Sequence, residues 1–273
     1  MTQTDPLPIW PTLAYLKQIV LDAGEILLAM ANGELEIQHK SQKDLVTRAD
    51  RAAEDFIIGS LRQSFPDHTI NAEESGHLAG ASEHQWFIDP LDGTLNYAHG
   101  VPIYSISIAY AYQGELKLGV VYDPSRKECF SAEQGAGAWL NDQPIRVSNF
   151  ENLIDCMLVT GFPGNRWGQP GNNFGNFVRF SQAAQTVRRL GSAALDASYV
   201  AAGRLDGFWE EGVHDWDVAA AGLIIREAGG VVTNLFGDPD FLKAPISMVA
   251  ANPVLHAKML DVLAEERQSY SQA

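Results

Sequence analysis

The stretch Trp86-Phe87-Ile88-Asp89-Pro90-Leu91-Asp92-Gly93-Thr94-Leu95-Asn96 sets the architecture around it. Three hydrophobic residues read as the end of a buried strand, and two aspartates three apart follow at once, with a proline between them and a Gly-Thr behind. Folding alone asks for no such arrangement. A turn needs one Asp or Gly, whereas two carboxylates forced together destabilise one another unless a cation lies between them. Seen alone, Asp89-Pro90 reads as an ordinary Asx-Pro turn with a solvated second Asp. With the rest of the chain beside it, the economical reading is a metal site, and hard oxygen donors without His or Cys favour Mg²⁺ or Mn²⁺ over zinc.

A chain of 273 residues, 46% of them hydrophobic, can form one large domain or two closely packed ones with a substantial core. The net charge of −15, from 19 basic and 34 acidic residues, speaks against nonspecific binding to nucleic acid or an anionic membrane. It also sits awkwardly with an anionic substrate, unless several carboxylates hold cations that reverse the local field. Two cysteines, Cys129 and Cys156, are too few for a disulfide framework or a thiolate metal site, so a reducing cytoplasm is the expected location. The N-terminus shows no secretory signal, and no apolar run approaches a bilayer span.

Outward from the central stretch, Leu13, Leu16, Ile19, Val20, Ala23, Ile26 and Leu27 recur at helical spacing and predict an amphipathic helix from Ile9 to about Ala31. Glu36 to Val46 is polar and predicts a loop, after which a second helix runs from Thr47 to about Phe65. Thr47-Arg48-Ala49-Asp50 has the spacing of a capping box, so Asp50 taken alone is structural. Lys40 is either a solvated loop charge or a cation that swings over a phosphate. A short strand Thr69–Ala72 delivers Glu73-Glu74 at its end, where metal and catalytic carboxylates collect, and Glu73 is the better candidate. Pro102 to Asp123 and Glu128 to Val147 alternate as two antiparallel hairpins.

Beyond Phe150 the pattern changes to alternating strands (Leu153–Thr160, Thr186–Leu190, Gly207–Trp209, Gly230–Leu235, Ser247–Ala251) and helices (Phe174–Ala184, Ala193–Ala202, Trp216–Ala228, Val254–Glu266). That alternation predicts a mostly parallel or mixed sheet covered by helices. We therefore expect an N-terminal half, 1–149, with an antiparallel sheet and most of the candidate ligands, and a C-terminal half, 150–273, that completes the site. No linker separates them, so they should pack as one compact unit. In the second half, Asp217 is expected to open a helix rich in small residues, Ala219-Ala220-Ala221-Gly222. As lone residues, Asp215 and Asp217 read as N-caps and His214 as a structural histidine.

Together these stretches resemble the inositol monophosphatase family of Mg²⁺-dependent, lithium-sensitive phosphatases. The resemblance runs from Lys40 to about Gly230 and rests on two motifs, the central stretch and Trp216-Asp217-Val218-Ala219-Ala220-Ala221-Gly222 continuing to Glu227-Ala228-Gly229-Gly230. Asp44-Leu45-Val46-Thr47 and Glu73-Glu74-Ser75 lie upstream in the right order. The resemblance implies a layered α-β-α-β-α sandwich of the α+β or α/β class and a phosphoric monoester hydrolase holding two or three Mg²⁺ ions. It implies metal ligation by Glu73, Asp89, Asp92, Asp217 and the backbone carbonyl of Leu91. Asp50 with Thr94 would orient and deprotonate the attacking water, which overturns the capping reading of Asp50. The N–H groups of Gly93 and Thr94 would receive the phosphate. Lys40 would sit beside the metals, and Gly191, Ser192, Ala193 and Glu210 would contact the hydroxylated body of the substrate. It further implies a homodimer, with inositol 1-phosphate or a related polyol phosphate as substrate.

Two positions depart from the family's usual pattern. Ala72 stands where Gly often precedes the paired glutamates, and Leu95-Asn96 points to the inositol-phosphatase branch rather than those that tend to carry Lys there. Other expected readings keep the chemistry and change the ester, to fructose 1,6-bisphosphate, 3′-phosphoadenosine 5′-phosphate or histidinol phosphate. Residues near Phe162–Trp167, Gly191–Ala193 and Glu210 are expected to decide among them. A non-enzymatic metal-binding regulatory protein is the alternative of another kind.

Overall fold

A computed structural model of the chain describes residues 10–31, 38–41, 44–162 and 172–270, with side chains in 38–45 and 266–270 outside that description. Helix α1 (Leu13–Met30) starts later than Ile9, because Pro11 precedes Thr12, whose hydroxyl caps the helix by accepting from the Tyr15 amide. Next, β1 (Gln38–Ser41) and β2 (Asp44–Val46) pair antiparallel. Within the polar stretch expected to be a loop, residues 38–41 and 44–46 are therefore two short strands, held by backbone pairing that no side-chain periodicity announces. Then follow α2 (Arg48–Ser64), β3 (Thr69–Ala72), β4 (Gly76–Leu78), β5 (His84–Asp92), α3 (Thr94–Ala98), β6 (Ser105–Tyr112), β7 (Glu115–Asp123), β8 (Glu128–Glu133), β9 (Gly137–Leu140) and β10 (Gln143–Pro144). After a 3₁₀ turn at Leu153–Asp155 come β11 (Met157–Thr160), α4 (Phe174–Ala183), β12 (Thr186–Arg188), α5 (Ala193–Ala201), β13 (Gly207–Glu211), α6 (Asp215–Glu227), β14 (Val231–Thr233), β15 (Ser247–Ala251) and α7 (Pro253–Tyr270).

Two main sheets organise these elements. The larger has the order β10-β9-β8-β7-β6-β5-β3-β4, antiparallel except where β3 runs parallel to β5. The smaller has the order β12-β11-β13-β15-β14 and is mixed, with β11 parallel to both of its neighbours. Alternation along each strand sends successive side chains to opposite faces. Trp86, Ile88, Ile106, Ile108, Tyr110 and Val120 share a core with α1 and α2 on one face of the large sheet. Phe87, Ala109, Ala111, Val121 and Phe130 face the other way, onto α5 and α6. Those helices also meet Val159, Phe208 and Ala250 of the small sheet, whose far face (Leu158, Trp209, Val249, Ala251) packs on α4 and α7. The layers are thus α-β-α-β-α. Close approach of β7 to α6 depends on Gly119, where a Cβ would lie 2.7 Å from the Ala220 carbonyl oxygen. Among the described residues no helix is long and apolar enough to cross a membrane.

The central stretch departs from its sequence reading in one respect: β5 does not stop at Ile88 but continues through both aspartates. Asp89 pairs with Ser107 and Asp92 with Ser105, so β5 spends one residue more than β6 between those pairs. Pro90 and Leu91 occupy this bulge, one of the few places in a sheet interior where a residue without an N–H is tolerated. The bulge turns the strand just before Gly93, whose φ of +94° ends it.

Candidate active site

The site grows from the end of β5 and the starts of α2, α3, α5 and α6. Thr47 caps α2 with its hydroxyl toward the Ala49 amide, and the Asp50 carboxylate returns the bond. Asp50 Oδ2 accepts from the Thr47 amide at 2.8 Å and from the Thr47 hydroxyl at 2.6 Å. The other oxygen, Oδ1, accepts from the Thr94 hydroxyl at 2.9 Å, and the same hydroxyl lies 3.0 Å from the Leu91 carbonyl oxygen as its alternative acceptor. One buried carboxylate therefore closes a helix start and joins that helix to the head of α3.

Asp89, 2% exposed, accepts from the Leu91 amide across the bulge. Asp92 faces the start of α5, accepting from the Ser192 hydroxyl (2.6 Å), the Ala194 amide (2.7 Å) and the Ala193 amide (3.2 Å). The side chain of Asn96 donates to the carbonyls of Ile103 and Leu190, both at 2.8 Å, and so fixes the Gly191 turn over α3. Gly93 needs to be glycine for a second reason besides its φ. A Cβ there would press on the carbonyls of Ile103 and Gly191 at 3.0 and 3.2 Å. Glu73 follows β3 and donates its amide to the Ile88 carbonyl. Asp217 does not open α6, as expected, but is its third residue; the helix starts at Asp215, and the Asp217 carboxylate caps back to the His214 amide at 2.7 Å. His214, which the sequence read as structural, is largely exposed and stacks on Trp216. The side chain of Lys40 and residues 163–167 lie outside the described residues.

Sequence reasoning missed four contributors. Glu54, one turn after Asp50 on α2, is 2% exposed and accepts from the amides of Glu74 and Ser75 and from the Ser75 hydroxyl, holding the turn that presents Glu73. An acid one helical turn after another was its only signal. Asp196 on α5 is 1% exposed and its Oδ1 has no hydrogen-bond partner. Ser105 and Ser107, buried on β6, reach the Ser192 hydroxyl and the Trp216 carbonyl and tie the sheet to both helix starts.

The electrostatics follow from crowding like charges away from water. Burial pushes the Asp89 carboxyl well above the usual carboxylate range, and the charges of Glu73, Asp92 and Asp217 push it further. Asp92 is raised to about 7 by burial and by Asp217, against the donors at the α5 start. Glu210 is raised to about 8 by burial, then Asp217 and Asp92, with Arg189 opposing. Asp196 is raised by burial and by Glu210. Desolvation also raises Asp50, opposed by its bonds from Thr47 and Thr94.

Among the described residues no three His, Cys, Asp or Glu side chains close into a ready-made ligand shell. The donor set nonetheless fits a hard dication. It is carboxylate and carbonyl oxygen, it carries repulsion that a cation would cancel, and the Asp89 carboxyl is pushed well above the usual carboxylate range by burial and by the charges around it.

A layered α+β protein with an acidic, oxygen-only centre where four helices begin is the class that fold and site define. The inositol monophosphatase family model matches residues 11–272, and the chain belongs to that family. It is 46% identical over 229 residues to a Nus factor SuhB of Pasteurella multocida, covering 84% of this chain and 85% of the relative. It is 43% identical to an inositol-1-monophosphatase of Mesorhizobium japonicum, covering 83% and 85%. The solved structure of an inositol monophosphatase from Anabaena (Nostoc) sp. superposes with a TM-score of 0.84 at 40% identity, covering 93% of this chain and 95% of that one.

Proposed function

We propose that the protein is a Mg²⁺-dependent phosphatase acting on inositol 1-phosphate or a related polyol phosphate monoester. The observation that carries this reading is the Thr94 hydroxyl, set between Asp50 Oδ1 and the Leu91 carbonyl and next to the Asp89 and Asp92 cluster. Glu73, Asp89, Asp92, Asp217 and the Leu91 carbonyl would hold the ions. Bound Mg²⁺ would supply positive charge that offsets the phosphate and acidifies water. With its own proton directed at Asp50, Thr94 presents lone pairs that accept from the attacking water, and the proton passes along the pair to Asp50. A carboxylate raised by desolvation is a stronger base than an ordinary one. The amides of Gly93 and Thr94 would bind the phosphate, with Lys40 beside it. Gly191, Ser192, Ala193 and Glu210 would face the substrate's hydroxyl groups. Residues of both halves, 1–149 and 150–273, meet in this site, and we propose that the chain works as a homodimer.

Phosphate release from inositol 1-phosphate, with and without Mg²⁺, beside the Asp92→Asn variant, tests the reading. Release that needs Mg²⁺ and is lost in the variant is the expected result. Faster turnover of fructose 1,6-bisphosphate, 3′-phosphoadenosine 5′-phosphate or histidinol phosphate would move the substrate while keeping the chemistry. Millimolar Li⁺ should inhibit, since a small monovalent cation can enter a Mg²⁺ site without supplying its charge. A second reading, a regulatory role without turnover, takes its support from the relative that bears the name Nus factor SuhB. Metal binding without hydrolysis of any of these esters would favour it.

A further inference from the structure

We propose that Gly161 is a positioning residue that sets where the Glu210 carboxylate stands, and that it thereby tunes selection of hydroxyl-bearing esters; this rests on the polyol-phosphate reading above. Strands β11 and β13 run parallel with Thr160 opposite Trp209, so the next residues, Gly161 and Glu210, are neighbours. The Glu210 side chain folds over the Gly161 backbone rather than extending from the strand. A Cβ built on Gly161 would overlap both carboxylate oxygens and the carbon that joins them. Gly161 has no positive φ, so it is glycine for space and not for conformation.

The backbone at Gly161 is held by a buried polar set. Asn173, 3% exposed, donates from Nδ2 to the Gly161 carbonyl at 2.7 Å and to the Thr160 hydroxyl at 2.8 Å, while its Oδ1 accepts from Trp209 Nε1 at 2.7 Å. The Thr160 hydroxyl in turn donates to the Trp209 carbonyl at 2.5 Å. Every side-chain polar atom of this buried set has a partner, which makes it rigid. Asn173 itself sits at φ +67°, a conformation asparagine tolerates better than most residues. A methyl group at 161 therefore cannot be absorbed by the backbone. The free end of Glu210 has to move instead, and a misplacement of about 1 Å in a positioning group can cost about 10²-fold.

Gly161→Ala is compared with wild type on inositol 1-phosphate and on p-nitrophenyl phosphate, whose leaving group carries no hydroxyl, and in the Glu210→Ala background. The expected result is a fall in kcat/KM of about 10- to 100-fold on inositol 1-phosphate, chiefly through KM. On p-nitrophenyl phosphate the change should stay within about twofold, and the methyl group should cost nothing further once Glu210 is shortened, because the two changes act through one contact. Equal losses on both esters, no loss on either, or losses that add in the double variant would overturn the inference while leaving the phosphatase reading intact. Wild-type protein inactive on both esters would overturn the polyol-phosphate reading and this inference with it. A thermal melt of each variant separates lost positioning from lost fold.

Discussion

At Asp50 two oxygens do two things, since Oδ2 closes the start of α2 with Thr47 and Oδ1 receives the Thr94 hydroxyl. Asp50→Asn keeps the shape and places an amide group where donors already point. We expect turnover to fall by about 10²- to 10⁴-fold, as for loss of a general base, and stability to fall by about 1–3 kcal/mol for the mismatched donor. Steady-state kinetics and urea denaturation on the same preparation read the two effects separately. Thr94→Ala removes the relay and spares the cap, so it should lose turnover with little change in the denaturation midpoint. A variant that lost stability and kept its rate would reduce Asp50 to a capping residue.

Among the elements, the contact between β7 and α6 decides how far the two sheets stand apart. Gly119→Ala sets a methyl group against the Ala220 carbonyl, and the obstacle is helix backbone that cannot turn aside. Overpacking of this kind costs about 1–3 kcal/mol, which should appear as a lower urea midpoint. Because α6 carries Asp217 at its start, the same substitution should also weaken metal binding, measured by titration calorimetry. The capping of α2, α5 and α6 by Asp50, Asp92 and Asp217 shows a shared device. The acid that ends a turn also points at the place where the elements meet.

For the whole molecule, the raised carboxyls set how stability depends on pH. Asp89, Asp92 at about 7 and Glu210 at about 8 keep protons in the metal-free fold that the unfolded chain releases above the ordinary carboxylate range. The folded state then binds more protons than the unfolded one between about pH 5 and 8, so stability falls as pH rises through that window, the reverse of a salt-bridged carboxylate. The Tm of EDTA-treated protein should drop from pH 5 to pH 8, and Mg²⁺ should raise it most at pH 8. A Tm that climbed with pH in the absence of metal would reject this account.

Periodicity in the sequence sufficed for the long helices, the two hairpins and the strand-helix alternation after Phe150, because burial imposes spacing on every amphipathic element. The paired acids and the Gly-Thr turn likewise drew attention to Asp89 and Asp92, whereas Asp217, an N-cap when taken alone, joined them only through the family resemblance. Other features had no such trace. The β1–β2 pair is polar and rests on backbone pairing, and the bulge at Pro90-Leu91 exists only relative to β6. Glu54, Asp196 and Gly161 matter for what folding sets against them, from the Glu74-Ser75 turn to the Glu210 carboxylate. Local chemistry and pattern are written along the chain, whereas close approach between distant segments is a property of packing, and packing decided how these residues meet.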